Sequence, residues 1–286
     1  EKKLISNYDN TVKYLFSFAD KCCVESVVMQ YKHGYSICIS TQVGCRMGCT
    51  FCATGKSGFS RNLTASEMLA QIQSAQKDLG IQISNIVLMG MGEPLDNYQQ
   101  VLRFLELVSS DEGMNIGMRH ISVSTCGIVD KIYDMANRKL QCTLSVSLHA
   151  PNDNLRSQTM PINKKWGVAQ LLKACKYYSD TTRRRISFEY AMISGLNDSD
   201  AQAQELAGKL KGILSHVNLI PVNDVTGNHY KKSSAQRLHA FCSILEKHGI
   251  TATVRRTLGS DIQASCGQLQ RRYKEEVNNI ESAQSN

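Results

Sequence analysis

Proline and long apolar runs are what this chain most lacks. Only four prolines occur in 286 residues, and no repeat, low-complexity tract or proline-rich linker divides it. The longest apolar stretches, such as Ile86–Met91, fall far short of the ~20 residues that a membrane-crossing helix needs. The N-terminal stretch lacks signal-peptide character, because Glu1-Lys2-Lys3-Leu4 leads into a segment broken by Asn7, Asp9, Asn10 and Lys13. Membrane and secreted readings are therefore set aside, and a cytoplasmic protein is expected.

What is present is an ordinary globular composition with two excesses. Apolar residues make up 42% and charged ones 20%, too apolar for disorder and enough for one large domain or two modest ones. Lysine and arginine number 33 against 25 acidic residues, a net charge of +8 that permits a polyanionic partner without requiring one. Cysteine is the second excess. The count is eleven, it is odd, and it includes the adjacent pair Cys22 and Cys23 in a chain too long to need disulfide staples. Reduced thiols, some bound to metal or catalytic, fit better.

Short β-branched runs alternate with longer helical patterns. The strand candidates are 24–30, 36–40, 86–89, 120–124, 142–148, 185–192, 217–220 and 251–255. The helical ones are 98–109, 129–137, 168–179, 199–214 and 234–248. Thr64-Ala65-Ser66-Glu67 is a capping box opening a further helix, which ends at Gly80. Strands separated by single helices imply βαβ units around a parallel sheet. About six units point to a partial or full α/β barrel, whose sites sit at the C-terminal ends of the strands.

Cys45-Arg-Met-Gly-Cys49-Thr-Phe-Cys52 is the sharpest local signal. Three thiolates at this spacing, in a glycine-containing loop between a strand and a helix, can converge on one soft metal centre. Three ligands are one short of a saturated tetrahedral zinc or a four-cysteine iron–sulfur cluster. A cubane held by three cysteines leaves one iron open to a non-protein ligand such as S-adenosylmethionine. The alternative is zinc with a fourth ligand elsewhere, for example His33.

The spacing resembles that of the radical S-adenosylmethionine superfamily, and longer stretches narrow the likeness. Ser40-Thr-Gln-Val-Gly-Cys45, Met89-Gly-Met-Gly-Glu-Pro94, Ser147-Leu-His-Ala-Pro-Asn152, Met160-Pro-Ile-Asn163 and Asp261-Ile-Gln-Ala-Ser-Cys-Gly-Gln-Leu269 resemble the RlmN/Cfr family of RNA adenine methyltransferases. The motifs recur in order from about Tyr14 to Leu269. Gly92-Glu93-Pro94, Arg255-Arg256-Thr257 and Ser124-Thr125-Cys126-Gly127 resemble RlmN members more than Cfr members.

The resemblance implies an α/β fold, a partial (β/α)6 TIM-like barrel of the radical SAM type with a short N-terminal β extension. Residues 1–41 would form that extension, 42–270 the barrel and the C-terminal cysteine loop, and 271–286 a polar tail. It implies a [4Fe-4S] cluster on Cys45, Cys49 and Cys52, with S-adenosyl-L-methionine contacted by Gly92, Glu93, Ser124, Ser147, Leu148, His149 and Asn223. On their own, these residues read more simply as turn, strand-end or core-edge positions.

The resemblance also gives roles to residues that, alone, read as buried thiols and an outward-facing acid. Adenine C2 is too electron-poor to attack a sulfonium methyl. Cys266 would first take up a methyl group, and a radical formed on that methyl would add to the adenine. Glu25 would accept the ring proton, and Cys38 would then attack the Cys266 sulfur to free methylated RNA. The expected product is 2-methyladenosine in 23S rRNA and in tRNA, with flavodoxin as electron donor and a monomeric enzyme. The competing expectations are a Cfr-type enzyme acting at C8 of the same ribosomal adenine, and a zinc-dependent RNA-binding module. Family members carry a small helical domain ahead of the barrel, and this chain begins almost at the barrel. Ser260, Gln263 and Ser265 stand where Asp, Asp and Ala are common.

Overall fold

The computed structural model describes residues 2–222, 230–262 and 264. The chain opens with an antiparallel meander, β1 (Lys2–Ile5), β2 (Val12–Ser17), β3 (Cys23–Tyr31) and β4 (Gly34–Cys38). A small hairpin follows, β5 (Gln42–Gly44) and β6 (Phe59–Asn62), with α1 (Ala53–Lys56) in its loop. Then come α2 (Ala65–Leu79), β7 (Ile83–Leu88), α3 (Tyr98–Ser109), β8 (Ile121–Thr125), α4 (Val129–Asn137) and β9 (Thr143–Ser147). The rest is α5 (Asp153–Thr159), α6 (Val168–Thr182), β10 (Ile186–Met192), α7 (Asp200–Leu210), β11 (Ser215–Pro221), α8 (Ala235–Lys247) and β12 (Ala252–Val254).

One sheet of ten strands runs in the order β1-β2-β3-β4-β7-β8-β9-β10-β11-β12. Every pairing from β4 to β12 is parallel. A helix follows each of six parallel strands, and β12 is the seventh, so the partial (β/α)6 architecture expected from the sequence is the one observed. No described helix is long and apolar enough to cross a membrane.

The meander extends further than the sequence suggests. Runs 2–5 and 12–17 lack the apolar continuity of a strand candidate, the first because it opens on Lys2 and Lys3 and the second because Lys13 interrupts it, yet Lys13 is fully buried. β4 also lies ahead of the expected 41/42 boundary. It pairs antiparallel with β3 on one side and parallel with β7 on the other, so extension and barrel share a single sheet.

Alternation explains the hollow centre. In β8, β9 and β10, Val123, Leu144, Val146, Phe188 and Tyr190 pack under the helices. Ser122, Thr143, Ser145, Ser187 and Glu189 face the other way and line a cavity of 450 Å³ together with Arg184, Arg185 and His216. A closed barrel fills its interior with branched side chains; here small polar ones leave room.

A close approach at Gly90 fixes the loop ends near the future site. A Cβ on Gly90 would lie 2.5 Å from the Ile39 carbonyl oxygen and 2.7 Å from the Ser40 nitrogen, so only glycine lets β7 run on beside β4. Gly208 lies inside α7 with nothing within 4 Å of a Cβ. Replacing Gly90 with Ala should cost about 1–3 kcal/mol through overpacking, whereas Gly208→Ala should gain about 1 kcal/mol through helix propensity. Denaturant unfolding of both variants checks the contrast.

Candidate active site

The cysteine motif occupies the loop of the β5–β6 hairpin. The Cys45 N–H donates to the Gly58 carbonyl at 2.7 Å, and a Cβ on Gly44 would come within 1.9 Å of that same oxygen. Gly44 has φ +79°, so the hairpin closes on glycine. Cys52 sits at the N-cap of α1 and its N–H donates to the Cys49 carbonyl at 3.1 Å. The Thr50 N–H donates to the Thr159 carbonyl at 3.0 Å, which ties the loop to the end of α5.

The three thiols feel one another. Burial pushes Cys45 up to about 12, with the negative charges of Glu93 and Cys52 adding to it. Cys49 is raised first by burial, then by Cys52 and Cys45. Three mutually repelling, partly buried sulfurs form a donor set suited to a multinuclear cation cluster, which reverses the sign of that repulsion. Among the described residues no three His, Cys, Asp or Glu side chains converge as a single metal ion requires. Three cysteine thiols from one loop are the soft donors that an iron–sulfur cluster takes, so the residues fit such a group.

Glu93 stands beside this loop and is buried. Its Oε1 accepts from the Leu95 N–H at 3.0 Å and its Oε2 from the Cys126 N–H at 2.7 Å, while its own N–H donates to Gln42 Oε1 at 2.8 Å. Burial raises its pKa, opposed by the Cys126 N–H. A Cβ on Gly92 would lie 2.6 Å from the Gln42 Cβ, at φ +105°. Protein contact alone therefore requires glycine here.

Ser124 and Ser147 lie half-buried in the last turns of β8 and β9, paired through Ser124↔Ser145. Leu148 and His149 follow on the same rim. His149 is 5% exposed, with φ +58°. Its Nδ1 accepts the Ala191 N–H at 2.8 Å, so the neutral ring carries its proton on Nε2. The ring meets Phe51 of the cysteine loop edge-on, with centroids 4.8 Å apart. Burial, helped by the Arg156 charge, lowers its pKa to about 3.

Arg156 of α5 was not singled out by the sequence, yet it joins these parts. Fully buried, it donates from Nε to the Leu148 carbonyl at 3.1 Å and from Nη1 to Asn163 Oδ1 at 3.1 Å. Nη2 donates to the carbonyls of Cys126 at 2.6 Å and Ser147 at 3.1 Å. One guanidinium thus fixes the ends of β8 and β9 and the Met160-Pro-Ile-Asn163 turn. The only advance signal was Asn163, its partner in that motif.

A second set of residues gathers where the barrel stays open. A cavity of 390 Å³ is lined by Glu25 and Val27 of β3, Cys38 of β4, Asn218 of β11, Arg255 after β12, and Ala264. The register Leu15↔Glu25, Lys13↔Val27 and Val27↔Cys38 puts Lys13, Glu25 and Cys38 on one face of the sheet. Lys13 Nζ lies 2.9 Å from Glu25 Oε2, with the side chains 0% and 2% exposed. Burial pushes the Cys38 thiol up to about 11, and the Arg255 charge opposes it.

The segment entering this cavity is tied to the β1–β2 turn. Asp261 accepts from Ser6 Oγ at 2.7 Å and from the Asn7 N–H at 2.8 Å, and Asp9 accepts from the Gly259 N–H at 2.8 Å. Cys266 and Asn223 lie outside the described residues.

Known proteins resemble this chain over most of its length. Residues 39–207 match the family described as the Radical SAM superfamily. The chain is 54% identical over 272 residues to a probable dual-specificity RNA methyltransferase RlmN of Clostridium novyi, covering 95% of this chain and 79% of that protein. Its counterpart in Alkaliphilus oremlandii is 55% identical over 273 residues, covering 96% and 80%. The crystal structure of a radical SAM methyltransferase from Sphaerobacter thermophilus superposes with a TM-score of 0.91 at 46% identity, covering 94% of this chain and 80% of that one.

His149 generates a test of the rim. A histidine whose pKa falls to about 3 on folding binds protons more readily unfolded, so its effect is to lower stability as pH drops from 6.5 toward 3. Across that window the wild type should lose stability faster than His149→Asn, whose side chain tolerates the left-handed backbone. The difference should be about 1.4 kcal/mol per pH unit. Equal slopes in denaturant titrations would contradict the assignment.

Proposed function

Because the chain belongs to the radical SAM superfamily and within it to the RlmN RNA methyltransferases, we propose that it makes 2-methyladenosine in 23S rRNA and in tRNA beside the anticodon. The observation that carries this reading is the shared cavity of Glu25, Cys38 and Ala264, the last of these two residues before Cys266 in sequence. Two residues of chain span at most about 7 Å.

Cys45, Cys49 and Cys52 hold the [4Fe-4S] cluster, and Gly92, Glu93, Ser124, Ser147, Leu148, His149 and Asn223 contact S-adenosylmethionine. Cluster and S-adenosylmethionine together supply the radical chemistry that removes hydrogen from an unreactive methyl group. The protein's own thiols and carboxylate do the rest. Cys266 carries the methyl carbon and becomes joined through it to adenine C2. Glu25 takes the C2 proton as general base, and the one electron left in excess on the adduct would pass back to the cluster. Cys38 then attacks the Cys266 sulfur. An S–S bond forms, the C–S bond breaks, and its electron pair stays on the RNA-bound carbon, which takes up a proton to become methyl.

Glu93 and Arg156 hold the strand ends at fixed spacing, and Asp261 and Asp9 tie the segment that precedes the methyl carrier to the β1–β2 turn. The surplus of basic residues suits an RNA phosphate backbone. In keeping with the family, the enzyme works as a cytoplasmic monomer and takes electrons from a flavodoxin.

Two cysteine variants test this reading. Cys38→Ala should form the RNA linkage and fail to release it, leaving a covalent protein–RNA species on denaturing gels. Cys266→Ala should give neither product nor linkage while keeping its iron. Methylated RNA from Cys266→Ala, or only free RNA from Cys38→Ala, would refute the two-thiol scheme.

A further inference from the structure

Lys13 is the least expected residue in the molecule. A lysine at 0% exposure in the middle of a strand loses the hydration of its ammonium, and such burial persists only where a counter-charge replaces water. Glu25 is that counter-charge, at 2.9 Å. The two are diagonal neighbours across β2 and β3, since Lys13 stands opposite Val27 and Leu15 opposite Glu25. Glu25 lines the cavity that Cys38 also lines, whereas Lys13, one strand further along the same face, is not part of the lining. The carboxylate is thus held from the β2 side while it lines the cavity. The Ser40 hydroxyl fixes the same stretch of β3, donating to the Glu25 carbonyl at 2.6 Å.

Cys38 shares this electrostatic neighbourhood. The charged groups acting on it are Glu25 from β3, Lys13 from β2 and Arg255 following β12; Glu25 disfavours its thiolate, and Lys13 and Arg255 favour it. While Glu25 is ionised, the Lys13–Glu25 pair is neutral overall and helps Cys38 little. Once Glu25 is protonated, the pair carries one net positive charge.

We propose that Lys13 is a positioning residue that couples the two halves of RNA release: its ammonium holds the Glu25 carboxylate at the cavity, and when Glu25 takes a proton that ammonium is left to stabilise the Cys38 thiolate. The idea rests on the reading of Glu25 as the base. The proton balance is simple. The adenine C2 proton moves to Glu25, the Cys38 thiol proton leaves to water in the open cavity, and neither proton transfer itself moves an electron. The order of events follows from the charge, because the nucleophile gains its activating field only after the ring proton has gone.

The test reads Cys38 directly. Alkylation of the folded protein by iodoacetamide, followed across pH by mass spectrometry of the Cys38 peptide, reports the thiolate. Glu25→Gln should move the profile to lower pH and Lys13→Met to higher pH. A shift of one unit changes the alkylation rate about tenfold at a fixed pH on the rising limb. Lys13→Arg, which keeps the charge, should follow the wild type. The double variant Lys13→Met/Glu25→Gln buries no lone charge and should fall between the two single variants, which keeps the test open if Lys13→Met does not fold. Shifts in the same direction, or a Lys13→Arg profile that follows Lys13→Met, would overturn the coupling.

A single-turnover assay with RNA separates this failure from failure of the base. Glu25→Gln should accumulate the covalent protein–RNA species; if it releases RNA normally, Glu25 is not the base. If it does accumulate that species while Lys13→Met resolves its own at the wild-type rate, the base stands and the role of Lys13 falls.

Discussion

The double allegiance of β4 is the constraint on which the rest depends. One edge pairs antiparallel with β3 and the other parallel with β7, so the barrel wall continues into the meander without a break. Cys38, at the end of β4, stands one loop away from Cys45 and directly across from Val27. Glu25, two residues before Val27, comes to the same face. A thiol, a carboxylate and the cysteine loop are placed by one strand and its hydrogen bonds. Gly90 protects that placement, because nothing larger fits between the ends of β4 and β7.

Charge is buried here at several points, and each time the counter-groups are built in. Arg156 spends its guanidinium on three backbone carbonyls and Asn163. Glu93 is met by the N–H groups of Leu95 and Cys126, and Lys13 by Glu25. Such arrangements contribute little net stability compared with apolar packing. Their effect is to hold loop ends in one geometry inside a hollow, polar lumen where side-chain packing cannot. A closed barrel sets its rim by a filled core; this one sets it by ion pairs and buried hydrogen bonds.

The parallel half of the fold was legible because its strands alternate with helices at regular spacing and the capping box at Thr64 marks a helix start, which the structure retains. The first two strands were hidden by Lys13 and by the polar turn Asn7–Asn10, since a strand holding a buried lysine makes sense only once its partner is known. The cysteine triad was plain from spacing alone. Glu25 and Cys38 were not: as isolated residues they read as an edge acid and an inert thiol, and resemblance alone raised them. The register then put them on one face. Arg156 and Asp261 act through backbone groups distant in sequence, which leave no periodic trace. Gly92 entered through the resemblance, and the structure adds a steric reason for glycine there in Gln42.

The central claim is that this cavity directs the methyl carbon to adenine C2. Reconstituted anaerobically with iron and sulfide, the protein would be given S-adenosylmethionine, a reductant and a ribosomal RNA fragment, and the digested nucleosides resolved by mass spectrometry against both methyladenosine standards. The account predicts 2-methyladenosine. Finding 8-methyladenosine in its place would contradict it.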